Sequence, residues 1–216
     1  MLGEVFDPRA EFCIEDRLHP HWAQAGAIVF ITMRTRDSIP KSVLERWERE
    51  KQDWLLRRGH PCEVHWTKLV PDLPDAERHA FARTFNRCRE EFLDGCHGSC
   101  PLRDSDLSKI VADSLLHFDE QRYRMGDFVI MPNHAHLLVA FASPDALKRQ
   151  CKSWTHYTGC KINKMLGRSG KFWQQEPFDH LVRSEEQYRY LRKYIAENPK
   201  KANLAPNDYV YRRYPK

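Results

Sequence analysis

At 216 residues, with 41% hydrophobic and 30% charged side chains, the chain is long enough to bury a core and too apolar to be disordered. It has no run near the ~20 apolar residues of a membrane span, no basic-then-apolar leader at its start, and seven irregularly spaced cysteines; these features predict a cytoplasmic protein with reduced thiols, one domain over 1–216 and no membrane partner. The net charge of +5 is uneven: residues 143–216 hold 16 Lys and Arg against 7 Asp and Glu, a net +9, and the preceding residues hold 19 against 23, a net −4. That is the footprint of a polyanionic partner, nucleic acid first, although a solvated lysine-rich surface has the same composition.

Taken in order, residues 1–25 read as irregular, and Gly26–Arg34 reads as the first strand, stopped at Pro40. Lys41–Arg58 and Asp75–Leu93 read as helices with narrow apolar stripes, Leu44, Trp47, Trp54 and Leu55 on one and Phe81, Phe85 and Phe92 on the other. His60, Cys62, Cys96, His97 and Cys100 could form a zinc set, but the pairs are separated by a helix, and Gly95–Cys100 reads rather as a tight loop. Asp104 caps a helix expected to reach Gln121; Arg122–Met131 is a strand, and Pro132-Asn133 a turn. Ser143 and Pro144 open a long helix ending near Leu166, and Lys171–His180 contains an aromatic fourth strand. The order is that of an α+β ferredoxin-like sandwich: an antiparallel sheet with helices on one face, plus a helical insertion (41–98) after the first strand.

The strand after the turn, His134–Phe141, carries His134 and His136 between apolar flanks. Residues i and i+2 of a strand point the same way, so both imidazoles can converge on one ion; they can equally be inert, hydrogen-bonded histidines. Ser184–Pro199 reads as a helix with a Ser184/Gln187 capping box and Pro199 as its stop. Tyr188, Leu191 and Ile195 form its buried stripe, and Gln187, Tyr190, Tyr194 and Asn198 border it. If this helix lies over the two-histidine strand, His134, His136 and Asn198 surround a cation with the Tyr194 hydroxyl beside them. A phenol is a poor nucleophile at neutral pH unless it or its target is activated, and a divalent cation can polarise a phosphodiester. Tyr194 as a core-bordering ring is the competing reading.

Met131-Pro-Asn-His-Ala-His-Leu-Leu, Phe172-Trp-Gln, Phe178-Asp-His180 and Tyr194-Ile-Ala-Glu-Asn-Pro-Lys-Lys-Ala202 together resemble the REP-associated branch of the single-tyrosine transposases, in the HUH endonuclease superfamily. The resemblance implies a metal motif at His134 and His136, the nucleophile at Tyr194 in the 184–199 helix, and a third ligand at Asn198, where other branches carry glutamine. It implies Mg²⁺ or Mn²⁺, no nucleotide cofactor, and single-stranded DNA, at a hairpin foot, as substrate of a nucleoid-associated bacterial enzyme, monomer or homodimer. Tyr194 would attack a phosphodiester to leave a 5′-phosphotyrosine and a free 3′-hydroxyl. Arg149, Lys152 and Arg183 are candidate DNA-backbone contacts and Trp173 a candidate stacking platform, though each can equally be surface or core. The chain departs from the pattern in its short tryptophan-free tail after Leu204 and its long insertion. Competing readings are a non-catalytic DNA- or RNA-binding regulator on the same fold, and a phosphodiesterase that uses water.

Overall fold

The computed structural model describes residues 2–16, 20–174 and 177–214. Strands β1 (Cys13–Asp16) and β2 (Pro20–Ala23) form a two-stranded antiparallel ribbon where the sequence reads as irregular. Phe6, Phe12 and Trp22 pack ring to ring there, with centroids 5.3–5.9 Å apart, and a patternless aromatic cluster of this kind has no periodic signature. After β3 (Ile28–Arg34) come α1 (Lys41–Leu56), the one-turn α2 (Trp66–Leu69) and α3 (Asp75–Asp94). Then follow α4 (Ser105–Leu116), β4 (Tyr123–Ile130), β5 (His134–Phe141), α5 (Pro144–Met165), β6 (Phe178–Leu181), α6 (Glu185–Lys201) and β7 (Val210–Arg212).

The main sheet has the order β6-β3-β5-β4-β7, antiparallel throughout. Its first four strands are the ferredoxin-like arrangement, and β7 adds an edge strand from the tail. All eight residues of β5 are buried, so the sheet is covered on both faces. Ala135, Leu137, Val139 and Phe141 face the core under α4 and α5; Leu138 and Ala140 face the core under α6. Since side chains alternate, His134 and His136 face α6.

Three boundaries differ from expectation. The α4 helix stops at Leu116, because residues 117–122 turn back through Glu120 in the left-handed region and the Tyr123 hydroxyl donates to the Leu115 carbonyl at 2.9 Å. Strand β6 begins at Phe178; Trp173 joins the sheet by a single bridge to Thr35, and the expected strand's Gln175 and Glu176 lie outside the described residues. Pro199 does not stop α6 but sits buried inside its last turn. A proline removes one donor there, while Ala202 and Leu204 still donate to the carbonyls of Asn198 and Pro199 at 3.1 and 3.0 Å.

The position of α6 is set by a bulge in β4. The β4–β5 register shifts between Met125 and Phe128, and buried Asp127 in the bulge takes a bidentate pair from Arg192 of α6 at 2.9 and 3.1 Å. Tyr214 N also donates to Asp127 at 2.6 Å, which ties the tail to the same carboxylate. Gly126 makes the bulge possible: a Cβ there would meet Leu2 Cδ2 at 2.5 Å and the Leu138 carbonyl oxygen at 2.8 Å. Gly126→Ala is therefore expected to lower unfolding stability by about 1–3 kcal/mol in urea. Gly159→Ala, whose Cβ would meet Phe172 Cβ at 3.4 Å within α5, should instead gain about 0.5–1 kcal/mol. Equal effects would show that the bulge is not sterically fixed.

Candidate active site

The two histidines are sealed from solvent, His134 at 0% and His136 at 1% exposure, with ring centroids 4.6 Å apart. His134 Nδ1 lies 2.7 Å from Asn133 Oδ1. The other end of that carboxamide, Nδ2, donates to the His97 carbonyl at 2.7 Å, which fixes the amide's orientation. Asn133 Oδ1 can only accept, so His134 carries its proton on Nδ1 and presents a lone pair at Nε2. That Nε2 is buried and has no hydrogen-bond partner among the described residues. His136 is oriented by Thr32 Oγ1 at 2.9 Å on Nδ1, and its Nε2 faces the Tyr194 hydroxyl at 3.4 Å.

The sequence reading missed Asp94. It is the last residue of α3, so it comes from the insertion. Among the described residues, Asp94, His134 and His136 form a cluster whose ligand atoms all lie within 4.8 Å of one another, a set able to hold a divalent cation. His60 and Cys62 do not join Cys96, His97 and Cys100 in any such cluster among the described residues. Asn198 Nδ2 donates to Asp94 Oδ1 at 2.9 Å, while Asn198 Oδ1 is buried and unpartnered among the described residues. Two buried lone pairs without partners among the described residues, His134 Nε2 and Asn198 Oδ1, stand beside a carboxylate, a donor set that fits a divalent cation because buried acceptors are as a rule satisfied. No periodic signal on α3 marks Asp94; it is polar at a helix end, where carboxylates are common. Asn133 was equally hidden, reading as an ordinary turn residue.

The loop that brings the His97 carbonyl to Asn133 is tightly built. Gly98 has φ +94°, and a Cβ there would meet the Asp37 carbonyl oxygen at 2.6 Å. Ser99 N donates to Asp37 Oδ2 at 2.9 Å.

Tyr194 is 6% exposed and Tyr190 63%, so the two tyrosines of the expected stripe part company. Burial, then the charges of Asp94 and Glu90, push the Tyr194 hydroxyl well above the usual phenol range. Burial raises the Asp94 carboxyl, against a lowering by the Asn198 hydrogen bond. Glu90, one turn earlier on α3, is raised by burial and by Asp94. Exposed Lys201 places Nζ 5.0 Å from the Tyr194 ring centroid.

The four candidate DNA contacts are scattered. Arg149 and Lys152 are exposed on α5, which packs on the sheet face opposite the histidines. Arg183 is exposed, with its guanidinium 5.9 Å from the Trp22 ring centroid. Trp173 is not a platform: it is 4% exposed, and its indole N–H donates to Thr158 Oγ1 at 2.8 Å. A ring packed against α5 and Phe172 offers no face to a base.

No family model matches the chain, and no curated protein matches it. Among solved structures it is similar to a REP-associated tyrosine transposase bound to a REP hairpin, at 13% sequence identity and a TM-score of 0.44, over 88% of this chain and 75% of that one. A likeness at that level does not carry function from one chain to the other. Among the described residues, no helix is long and apolar enough to cross a membrane.

Burial also sets a pH response. It lowers His134 to about 3 from an ordinary 6.5, and His180 on β6, across β3, to about 4. His136 is lowered by burial and by the charges of His134 and His180. The folded-state values lie below the unfolded ones, so the unfolded chain binds these protons first. Stability is full above pH 6.5 and is lost as pH falls toward 4 and then 3. Urea midpoints of chelator-treated protein should drop over that window, and the double variant His134→Gln/His136→Gln should flatten the drop. An unchanged pH profile in the double variant would show that the pair is already accessible to protons.

Proposed function

We propose that this protein is a divalent-metal-dependent endonuclease and strand transferase for single-stranded DNA, acting through a covalent 5′-phosphotyrosine at Tyr194. The observation that carries the reading is the buried Tyr194 hydroxyl, 3.4 Å from His136 Nε2 and beside the Asp94, His134 and His136 cluster. Asp94, His134 Nε2, His136 Nε2 and Asn198 Oδ1 are the atoms that would hold the metal. When bound, a divalent cation supplies positive charge that favours the phenolate and polarises the phosphodiester.

The chemistry is a transesterification. Tyr194 Oη forms a bond to phosphorus, the P–O3′ bond breaks, and O3′ leaves and is protonated. The Glu90 carboxylate, whose charge bears on the Tyr194 hydroxyl, is the group we assign to take the phenolic proton. A later 3′-hydroxyl attacks the phosphotyrosine and restores the phenol, and because the bond energy is kept, no nucleotide cofactor is used. Asn133 holds His134 in the required tautomer, Thr32 orients the His136 ring, and Asn198 orients Asp94. The +9 charge of residues 143–216 suits a DNA backbone, with Lys201 beside the Tyr194 ring. A hairpin with a single-stranded foot is the proposed substrate class, and Arg183 remains a candidate backbone contact.

A denaturing gel with such a hairpin separates the readings. Tyr194→Phe should abolish the covalent adduct with little loss of affinity, whereas Tyr190→Phe should keep most cleavage. His134→Ala, His136→Ala and Asp94→Ala should each abolish cleavage. Asn198→Ala should weaken metal binding by about 10–100-fold and be partly rescued by more metal. Activity that survives EDTA would remove the metal from the account. Tight binding without any adduct would instead favour the non-catalytic regulator, and cleavage without adduct the water-using phosphodiesterase.

A further inference from the structure

With Trp173 in the core, the strand has no stacking surface there, and α6 exposes one that the chemistry above does not use. Tyr190 is 63% exposed, the most exposed of the large apolar and aromatic side chains among the described residues. It takes no part in the core under α6, which is built by Leu191, Tyr194 and Ile195 of the same helix with Tyr188 packed against it. A single exposed aromatic is ordinary on a protein surface; this one is distinguished by its setting. Tyr190 stands one turn before Tyr194 on the same face of the helix, about 6 Å along its axis. The two rings are nearly parallel, 19° apart in plane with centroids 6.4 Å apart, so the exposed ring is turned in line with the buried one. Beyond Tyr194 on that side, exposed Lys201 holds Nζ 5.0 Å from the Tyr194 ring centroid, and its charge acts on Asp94 and Glu90. Glu185 and Glu186 occupy the first turn of the helix, and Lys200 and Lys201 the last.

We propose that Tyr190 is the platform on which a base next to the cleaved phosphodiester stacks, so that the strand lies along α6 with that phosphodiester over Tyr194. The charge along the helix sets the path. Phosphates are attracted at Lys200 and Lys201 and repelled at Glu185 and Glu186, so what reaches Tyr190 is a base, whose uncharged face suits an exposed ring. A seated base fixes the sugar and phosphate attached to it, and so holds phosphorus in line for attack by Tyr194 Oη. Stacking accepts any base, since each has a π-face, and the platform therefore aligns the strand without choosing its sequence. A base still paired and stacked in a duplex offers no free face, which restricts the platform to an unpaired segment. The platform rests on the reading of the site as one for single-stranded DNA, and it identifies the residue that positions the nucleotide beside the reacting bond.

The test uses the full chain in a Tyr194→Phe background, so that no cleavage intervenes, with Tyr190→Ala, Tyr190→Phe and Lys201→Gln added in turn. A hairpin with a single-stranded foot is titrated over a salt series, intact and with an abasic nucleotide on either side of the bond that the wild-type chain cleaves. Tyr190→Ala should bind the intact hairpin about tenfold more weakly with an unchanged salt slope, since a stacked ring releases no counterions. Tyr190→Phe should bind as its parent does, because the ring stays. Lys201→Gln should make the slope shallower by about 0.7. One of the two abasic hairpins should bind the parent about tenfold more weakly, and on it Tyr190→Ala should cost nothing further, because both changes remove the same interaction. Thermal unfolding of Tyr190→Ala should match that of its parent, since the ring lies outside the core. Losses that add on both abasic hairpins, or binding indifferent to Tyr190→Ala, overturn the platform. A Tyr190→Ala variant that loses stability and binds every hairpin equally badly makes the ring structural and overturns it as well. A slope unmoved by Lys201→Gln overturns the path along α6. A parent that binds no hairpin is the failure of the single-stranded-DNA reading, and overturns the platform with it.

Discussion

The site depends on the clamp between Asp127 and Arg192. Asp127 is 2% exposed and sits in the β4 bulge, and Arg192 reaches it from α6 with two hydrogen bonds. Arg192 also donates to the Tyr214 carbonyl at 3.1 Å, so one buried carboxylate holds the tyrosine helix, the bulge and the tail together. Removing one partner from a buried pair of this kind costs about 3–5 kcal/mol, because the other charge is left uncompensated. Tyr194 lies two residues beyond Arg192, and its 3.4 Å approach to His136 is fixed by where that pair docks the helix. A helix held by apolar contacts alone, Leu191 and Ile195 on Leu138 and Val129, could slide or rotate by fractions of a turn. The directional pair removes that freedom.

The clamp works because the histidine strand is buried on both faces. Eight buried residues on β5 leave water no route to the imidazoles, which is why both are held neutral and ready to act as ligands. The same dryness raises the phenol and both carboxylates of α3. The lone pairs at His134 Nε2 and Asn198 Oδ1 are the atoms through which such a site could take a cation.

The helical insertion is thereby part of the site rather than a decoration on it. Its last helix brings Asp94 to the two histidines, and the loop that follows supplies the His97 carbonyl that sets the Asn133 amide and, through it, the His134 tautomer. Ile39, Trp47 and Leu93 anchor this unit in a small core of its own.

The local patterns of the sequence determined the type of most elements, the shared face of His134 and His136, and the proximity of Tyr194 and Asn198 on one helix. Each of these follows from a period of two or of 3.6, which is a property of neighbours in the chain. Tertiary structure alone decided the rest. Asp94 meets Asn198 across 104 residues and Arg34 meets His134 across about a hundred, separations over which no periodicity carries information. Tyr190 and Tyr194 share a helical stripe, yet one is exposed and one buried, because the edge of the packed surface falls between them. Trp173, a candidate stacking platform by residue type, is a core residue because its indole packs against α5. The basic charge of the last third was legible as a sum, but its division between the α5 surface and the tyrosine side of the sheet was not, since a net charge has no direction until the chain is folded.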